Sequence, residues 1–141
     1  MAETGNTFRL EVITPDAAVL SEDVEFLRVR ALDGDLGIMP HHAPLIASLG
    51  IDVLAYVQDG HRRHLTVAKG FLEVNHNTVT IITPAAEKPS DIDVARAKAA
   101  EERAEQRLQA HKENLDVARA EAALQRALHR IDAAEKYGNE K

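Results

Sequence analysis

The sequence predicts an α+β protein in which an antiparallel β-sandwich or barrel precedes two α-helices. Two observations support this fold class. Short segments that alternate apolar and polar residues fill the first 86 of the 141 residues, and turn-forming Gly, Asn, Asp and Pro separate them. From about residue 91 the composition changes to Ala, Glu, Arg, Leu and Gln, which favour helix, and neither Gly nor Pro occurs between Pro89 and Gly138.

The first strand is predicted at FRLEVIT, where Phe8, Leu10 and Val12 fall on one face at period two. VEFLRVRAL repeats this pattern. The segments IDVLAYV, HLTVAKG, FLEV and VTIITP follow, and the turns TPD, LDGD, QDG and NHN separate the strands. Because no segment with a helical period interrupts them, we expect antiparallel pairing rather than a parallel α/β sheet.

The boundary between the two parts is predicted at AEKPSDID, where Pro89 suits a linker and Ser90 or Asp91 suits a helix N-cap. We therefore expect three segments, namely a sandwich domain at 1–86, a linker at 87–90 and a helical hairpin at 91–141.

Two helices are predicted within the hairpin, at about 91–109 and 115–136. The segment AHKEN (110–114) is the expected break, because Asn114 is a good N-cap for the helix that follows it. A short connection between two helices of similar length predicts that they pack against each other as a hairpin.

Both predicted helices carry arginines in a row when residues are placed at about 100° intervals. The first helix has a strip of small residues at Ile92, Ala95 and Ala99, and a charged stripe at Asp93, Arg96, Arg103 and Arg107. The second has an apolar stripe at Val117, Leu124, Leu128 and Ile131, opposite Arg119, Arg126 and Arg130. Such arginines either form a solvated surface with weak ion pairs or bind an anion, as a phosphate or an acidic protein surface.

Composition excludes several classes of protein. A formal net charge of −6 argues against a general nucleic-acid binder, which needs a basic surface. The chain has no cysteine, so disulfides and thiolate sites are excluded. The start MAETGNTFRL lacks the features of a signal peptide, and no segment approaches the roughly 20 apolar residues that a membrane span needs.

Catalytic and metal-binding motifs are not evident. His61 and His64 point to opposite faces of a strand, and HExxH is absent, so we predict no metal site and expect histidines exposed in turns. No serine lies in a G-x-S-x-G turn, and no Walker sequence occurs. A free-standing sandwich enzyme or metal-binding module is therefore the disfavoured alternative.

A resemblance to a known family covers nearly the whole chain. GDLGIMPHHAPL (34–45) resembles the G-x-L-G-I-L-P-x-H-A-P-L signature of the epsilon subunit family of F-type ATP synthases, with Met39 in place of leucine. VITPD before it, and GFLEV, VTII and AE after it, occur in the order of that family. IDVARA (92–97) is similar to the I/L-D-x-x-R-A motif of the bacterial members that bind ATP.

The resemblance implies a sandwich of about ten strands, a two-helix hairpin and no catalytic site. The implied sandwich docks on the gamma subunit and the ring of c subunits. The implied hairpin is a mobile arm that inhibits ATP hydrolysis when its basic residues meet an acidic segment of a beta subunit. ATP, as a regulatory ligand, favours the folded-down state, and no metal is expected. The implied location is peripheral, on the cytoplasmic face of a bacterial plasma membrane, which the subunit contacts only through the complex.

Residue roles also follow from the resemblance. The expected ATP-binding residues are Glu87, Ile92, Asp93, Arg96, Ala97, Arg103, Arg126 and Arg130, with Asp93 and Arg96 fixing one another. Arg107 and Arg119 are expected at the interface with the beta subunit. The expected docking loop contains Gly34, Gly37, Pro40, His42 and Pro44, in which the glycines adopt positive φ, the prolines stiffen the loop and the histidine forms a local hydrogen bond. An alternative is the same coupling subunit with a hairpin that does not sense ATP.

Overall fold

The structure, a computed structural model, describes residues 6–110 and 114–140, and for residues 114–116 it describes the backbone only. The chain divides into two units, Met1–Glu87 and Lys88–Lys141. The first unit contains β-strands and the second contains helices, so the prediction of an α+β protein with a sandwich before two helices is confirmed.

The first unit has eight strands in its described part. They are β1 Phe8–Ile13, β2 Ala18–Val24, β3 Phe26–Ala31, β4 Gly34–Ile38, β5 Leu45–Gln58, β6 His61–Asn75, β7 Thr78–Ile82 and β8 Ala86–Glu87.

The strands follow the order β2-β1-β7-β6-β5-β3-β4, and β8 pairs with β6. Every pair is antiparallel except β1 with β7, which run parallel from Arg9↔Thr78 to Ile13↔Ile82. The predicted antiparallel sheet is thus correct for all neighbours but one. The parallel pair joins strands that are far apart in sequence, which local turn signals do not reveal.

The strand number of about ten is wrong, since the described part has eight. HLTVAKG and FLEV, predicted as separate strands, form the single strand β6. Lys69 and Gly70 have positive φ (72° and 137°), but Gly70 still pairs with Leu49, so the chain kinks without leaving the sheet. A Cβ at Gly70 would lie 2.0 Å from the Ile82 carbonyl oxygen, so only glycine fits there.

Alternating side chains build the core of the sandwich. In β1, Phe8, Leu10 and Val12 are at most 2% exposed, as the period-two pattern predicted. Apolar residues from β2, β3, β4, β5, β6 and β7 join them in one cluster. Burial of this apolar area is the main stabilising term for the unit.

The second unit has a 3₁₀ turn at Pro89–Asp91, then α1 (Val94–Ala110) and α2 (Asn114–Tyr137). In the first unit Glu87 is the last residue of β8, although it was predicted in a linker. Residues 111–113 of the predicted helix break lie outside the described residues, as does the side chain of Asn114, the predicted cap. No helix in the described ranges is long and apolar enough to cross a membrane.

The two helices pack through alanines. Ala97 and Ala104 are the buried residues of α1, and on α2 the alanines Ala120, Ala127 and Ala133 are at most 3% exposed. We call Ala97, Ala104, Ala120 and Ala127 the alanine seam. Ala133 lies about 140° from Ala120 around the axis of α2, so it is buried on another side of that helix. The predicted strip on α1 was wrong for Ala95 and Ala99, which are exposed, and correct for Ile92, which is buried; the larger side chains of the α2 stripe are half-buried, or exposed at Leu128.

Candidate functional site: the helical unit and the loop after β4

The entry to α1 is a compact turn. The Asp91 N–H donates to the Lys88 carbonyl at 2.9 Å, and the Ile92 N–H donates to the Pro89 carbonyl at 3.3 Å. Pro89 and Ile92 are buried. The turn therefore fixes the position of the residue that begins the helix.

Asp93 is the N-cap of α1, which the sequence had suggested at Ser90 or Asp91. Its carboxylate accepts a hydrogen bond of 3.0 Å from the Arg96 backbone N–H, and its carbonyl accepts one of 3.0 Å from the Ala97 N–H. An aspartate at this position satisfies a backbone donor that the helix cannot satisfy itself. The observed link between Asp93 and Arg96 thus runs through the backbone of Arg96, whose side chain is exposed.

The six arginines predicted in rows lie at a similar angular offset from the alanine seam on both helices. On α1, Arg96 and Arg103 directly precede Ala97 and Ala104, and on α2 the pairs are Arg119–Ala120 and Arg126–Ala127. At about 100° per residue, each arginine therefore lies about 100° to the same side of the seam. Arg107 and Arg130, each three residues after a seam alanine, fall in the same rows.

The two rows lie on one face of the helix pair. A short connection and the packing of α1 on α2 make the helices antiparallel. Two antiparallel helices are exchanged by a twofold axis that runs perpendicular to both helices, through the face of the pair. This rotation does not turn the pair over, so side chains at the same angular offset from each seam lie on the same face. We call this the basic face; it consists of Arg96, Arg103, Arg107, Arg119 and Arg126, which are exposed, and Arg130, which is half-buried.

The described carboxylates inside the two helices lie on the other side of the seam. Among the described side chains of residues 94–110 and 117–135, the angular positions place every carboxylate there, at about 40° to 140° from the seam. These residues are Glu101, Glu102, Glu105, Glu121, Asp132 and Glu135. Segregation of charge leaves the basic face suited to an anion.

The remaining predicted ATP-binding residues are placed differently. Ala97 is fully buried in the seam, and Ile92 is 8% exposed. Glu87 is half-buried in β8, where its N–H and carbonyl each make a 3.2 Å hydrogen bond with the Thr66 hydroxyl. Glu87 therefore belongs to the sandwich unit, while the others belong to the helical unit.

The loop after β4 is held by hydrogen bonds. His41, with φ of 63°, donates its backbone N–H to the Asn77 side-chain oxygen at 2.7 Å, and the Asn77 amide donates to the Thr7 carbonyl at 2.9 Å. The His42 Nδ1 lies 2.7 Å from the Ala43 carbonyl, a local hydrogen bond as predicted. The sequence identified Asn77 only as a turn residue, so its bridging role was missed.

The two loop glycines differ from each other. Gly34 has the positive φ that was predicted, at 132°. Gly37 does not, so that prediction was wrong; a Cβ there would lie 3.3 Å from the Phe26 ring, closer than an ordinary van der Waals contact. Pro40 is half-buried and Pro44 is exposed.

The sandwich exposes large apolar side chains. Met39 in the loop is 62% exposed and Ile46 just after it is 74% exposed. A separate groove of about 760 Å³ is lined in part by Leu32, Phe71 and Ile82, which are 58–72% exposed. Contiguous exposed apolar surface of this kind indicates a contact with another macromolecule.

A metal centre is not formed by the described residues, which contain no group of three or more His, Cys, Asp or Glu that could hold an ion. His61 is exposed, but His64 is only 9% exposed within β6, so the expectation that it lies exposed in a turn was wrong. His64 pairs with Ala55 of β5, so it belongs to a strand and not to a turn.

Comparison with family models gives two matches in chain order. Residues 7–89 match the model for the β-sandwich domain of the ATP synthase delta/epsilon chain, and residues 90–135 match the model for its long α-helix domain.

Curated proteins named ATP synthase epsilon chain are similar to this chain. The protein from Pelotomaculum thermopropionicum is 50% identical over 102 residues, which cover 72% of this chain and 76% of the relative. The one from Lawsonia intracellularis is 47% identical over 108 residues, covering 77% and 81%.

Solved structures share the fold. A chain of the Euglena gracilis mitochondrial ATP synthase OSCP/F1/c-ring structure aligns with a TM-score of 0.78 at 23% identity, covering 95% of this chain and 84% of the other. A chain of the Tetrahymena thermophila mitochondrial ATP synthase central stalk/c-ring structure aligns with a TM-score of 0.58 at 14% identity, covering 89% and 95%.

Proposed function

The chain belongs to the ATP synthase delta/epsilon chain family, and from that premise we propose that it is a coupling and regulatory epsilon chain of a proton-translocating ATP synthase. In this proposal it joins the rotor to the catalytic head and has no catalytic site of its own. It acts as a peripheral subunit on the cytoplasmic face of a bacterial plasma membrane. The observation that carries the proposal is the pair of family matches, which together span residues 7–135.

The sandwich docks on the gamma subunit and the ring of c subunits. Exposed Met39 and Ile46 beside a loop that is fixed by Asn77 support this role, because a rigid apolar surface loses little entropy on binding. The structures with a similar fold come from F1/c-ring and central stalk/c-ring assemblies, which is consistent with such docking.

The hairpin inhibits ATP hydrolysis through its basic face, which meets an acidic segment of a beta subunit. Six arginines on one face, with the described helix carboxylates on the other, provide the electrostatic complementarity that this contact needs. Arg107 and Arg119 serve the beta contact in particular.

ATP binding opposes that contact. The proposed ATP site contains the residues expected from the sequence, namely Glu87, Ile92, Asp93, Arg96, Ala97, Arg103, Arg126 and Arg130. Its best support is Asp93, which caps α1 and holds Arg96 in the first turn with its guanidinium exposed on the basic face. Guanidinium groups bind phosphate through forked, charge-assisted hydrogen bonds.

The regulation is then a competition for the same arginines. ATP phosphates and beta-subunit carboxylates cannot occupy them together. A ligand that binds only the folded-down state stabilises it by RT ln(1 + [ATP]/Kd), which is roughly 2.7 kcal/mol at a hundredfold excess over Kd. This free energy is enough to reverse a two-state arm that is poised near balance.

The inhibitory role is tested in the assembled ATP synthase by a chain that ends at Glu87. β8 is retained, so the sandwich keeps its pairing with β6. We expect the truncated chain to assemble and ATP hydrolysis to rise relative to the complex with the full chain. A hydrolysis rate unchanged by removal of the hairpin would contradict inhibition by this arm.

A further inference from the structure

The two helices are copies of one sequence pattern. Residues 91–108 (DIDVARAKAAEERAEQRL) and 114–131 (NLDVARAEAALQRALHRI) align with an offset of 23, and ten of the eighteen aligned positions are identical. The repeat superposes the arginines Arg96 on Arg119, Arg103 on Arg126 and Arg107 on Arg130. It also superposes the seam alanines Ala97 on Ala120 and Ala104 on Ala127, so both copies use the same residues for packing and for the basic face.

The packing of the hairpin makes this repeat a pseudo-twofold symmetry. Ala104 lies six residues before the end of α1 at Ala110, and Ala120 lies six residues after the start of α2 at Asn114. Ala97 and Ala127 each lie thirteen residues from the same helix ends. In an antiparallel pair, Ala104 therefore lies at the same height along the helix axes as Ala120, and Ala97 at the same height as Ala127. The repeat superposes Ala97 on Ala120 and Ala104 on Ala127, so it relates one height to the other.

The symmetry divides the basic face into two clusters of three arginines. With a rise of about 1.5 Å per residue, Arg96, Arg126 and Arg130 fall within about 6 Å along the helix axes. We call them the proximal cluster. Arg103, Arg107 and Arg119 form the distal cluster with the same spread, and the centres of the two clusters are about 13 Å apart along the axes.

The distal cluster has the surroundings of an anion site. Its three arginines are exposed and come from both helices. The described carboxylates of residues 94–110 and 117–135 lie on the other side of the seam, so they do not neutralise this face. All three arginines are retained in both copies, and so is the aspartate three residues before the first of them, which is Asp93 in the first copy and Asp116 in the second.

We propose that the distal cluster, Arg103, Arg107 and Arg119, is a second polyphosphate-binding site, related to the proximal cluster by the pseudo-twofold axis. The three arginines span about 6 Å along the helix axes at their backbone, so their long side chains can reach the phosphates of one triphosphate chain. Arg103 lies nearest to the proximal cluster of the three, so it is shared with the ATP site proposed above. Because the two sites share this arginine, the second molecule binds more weakly than the first.

The test is calorimetric titration of inorganic tripolyphosphate into the full chain, because this probe contains only the phosphates that the clusters recognise. We expect two molecules bound per chain. Arg119→Gln should weaken one of the two events at least roughly tenfold, the effect of losing charge-assisted hydrogen bonds. Arg96→Gln, the equivalent change in the first copy, should weaken the other event.

Lys98→Gln is the matched control, since it removes one positive charge from an exposed α1 position outside the basic face. It should leave both events intact. One molecule of tripolyphosphate per chain, or an effect of Arg119→Gln no larger than that of Lys98→Gln, would overturn the second site. ATP titration of Arg96→Gln separates the proposed ATP site from the proposed distal site. Unchanged ATP affinity in this variant would contradict the ATP site. The loss of one bound tripolyphosphate in Arg119→Gln would still support the distal cluster.

Discussion

At the scale of single residues, Asp93 shows how one side chain determines where a helix begins. Its hydrogen bond to the Arg96 N–H begins α1 at Val94 and so fixes where the first arginine of the basic face emerges. The three-residue separation of aspartate and arginine in the motif is thus the separation between an N-cap residue and the third residue of the helix. The sequence indicated that these two residues act together, but several capping residues precede Val94 and only the backbone geometry selects Asp93.

Loss of this cap should be measurable. Asp93→Ala removes the acceptor of the Arg96 N–H and should destabilise α1 by about 1 kcal/mol, the usual effect of losing an N-cap. Asp93→Asn retains a capping oxygen and should remain within a few tenths of a kcal/mol of the parent. Thermal unfolding of the full chain, followed by helical circular dichroism, gives both values. Equal loss of stability in the two variants would show that charge at position 93, rather than capping, stabilises the helix.

At the scale of elements, the alanine seam determines how closely α1 and α2 approach. Side chains of one methyl group bury little area each, so the hairpin gains less hydrophobic stabilisation than the sandwich core. The existence of two helices followed from composition and the arginine rows from periodicity. The alanine seam could not be predicted in this way, because α1 carries alanine on several sides and periodicity does not show which side is buried.

Enlarging a seam residue should separate the helices. Ala127→Leu introduces three carbon atoms at a position that is 3% exposed, and overpacking of this kind costs about 1–3 kcal/mol. Ala118→Leu adds the same atoms at an exposed position of α2 and should be nearly neutral. Comparing the midpoints of helix unfolding in the two variants tests the seam. A larger loss in Ala118→Leu would place the packing face elsewhere.

At the scale of the whole molecule, the chain combines a sandwich that buries an apolar core with a charge-segregated hairpin, and the proposed function assigns docking to the first and regulation to the second. The strands were predictable where buried and exposed residues alternate, as in β1 at Phe8, Leu10 and Val12. The parallel pairing of β1 with β7 and the continuity of β6 through Lys69 and Gly70 were not, since both depend on contacts distant in sequence or on a local kink. A sequence motif predicted the residues of the proposed site. That their arginines share one face follows only from the packing of the two helices.

The central claim is that the hairpin binds ATP through its basic face. Calorimetric titration of ATP into the purified chain tests it most directly, with Arg126→Ala and, as a control on the same helix, Gln125→Ala. The account predicts one saturable high-affinity event that Arg126→Ala weakens roughly tenfold or more and Gln125→Ala leaves unchanged. No binding at millimolar ATP, or full affinity in Arg126→Ala, would contradict it and leave the basic face to the beta-subunit contact.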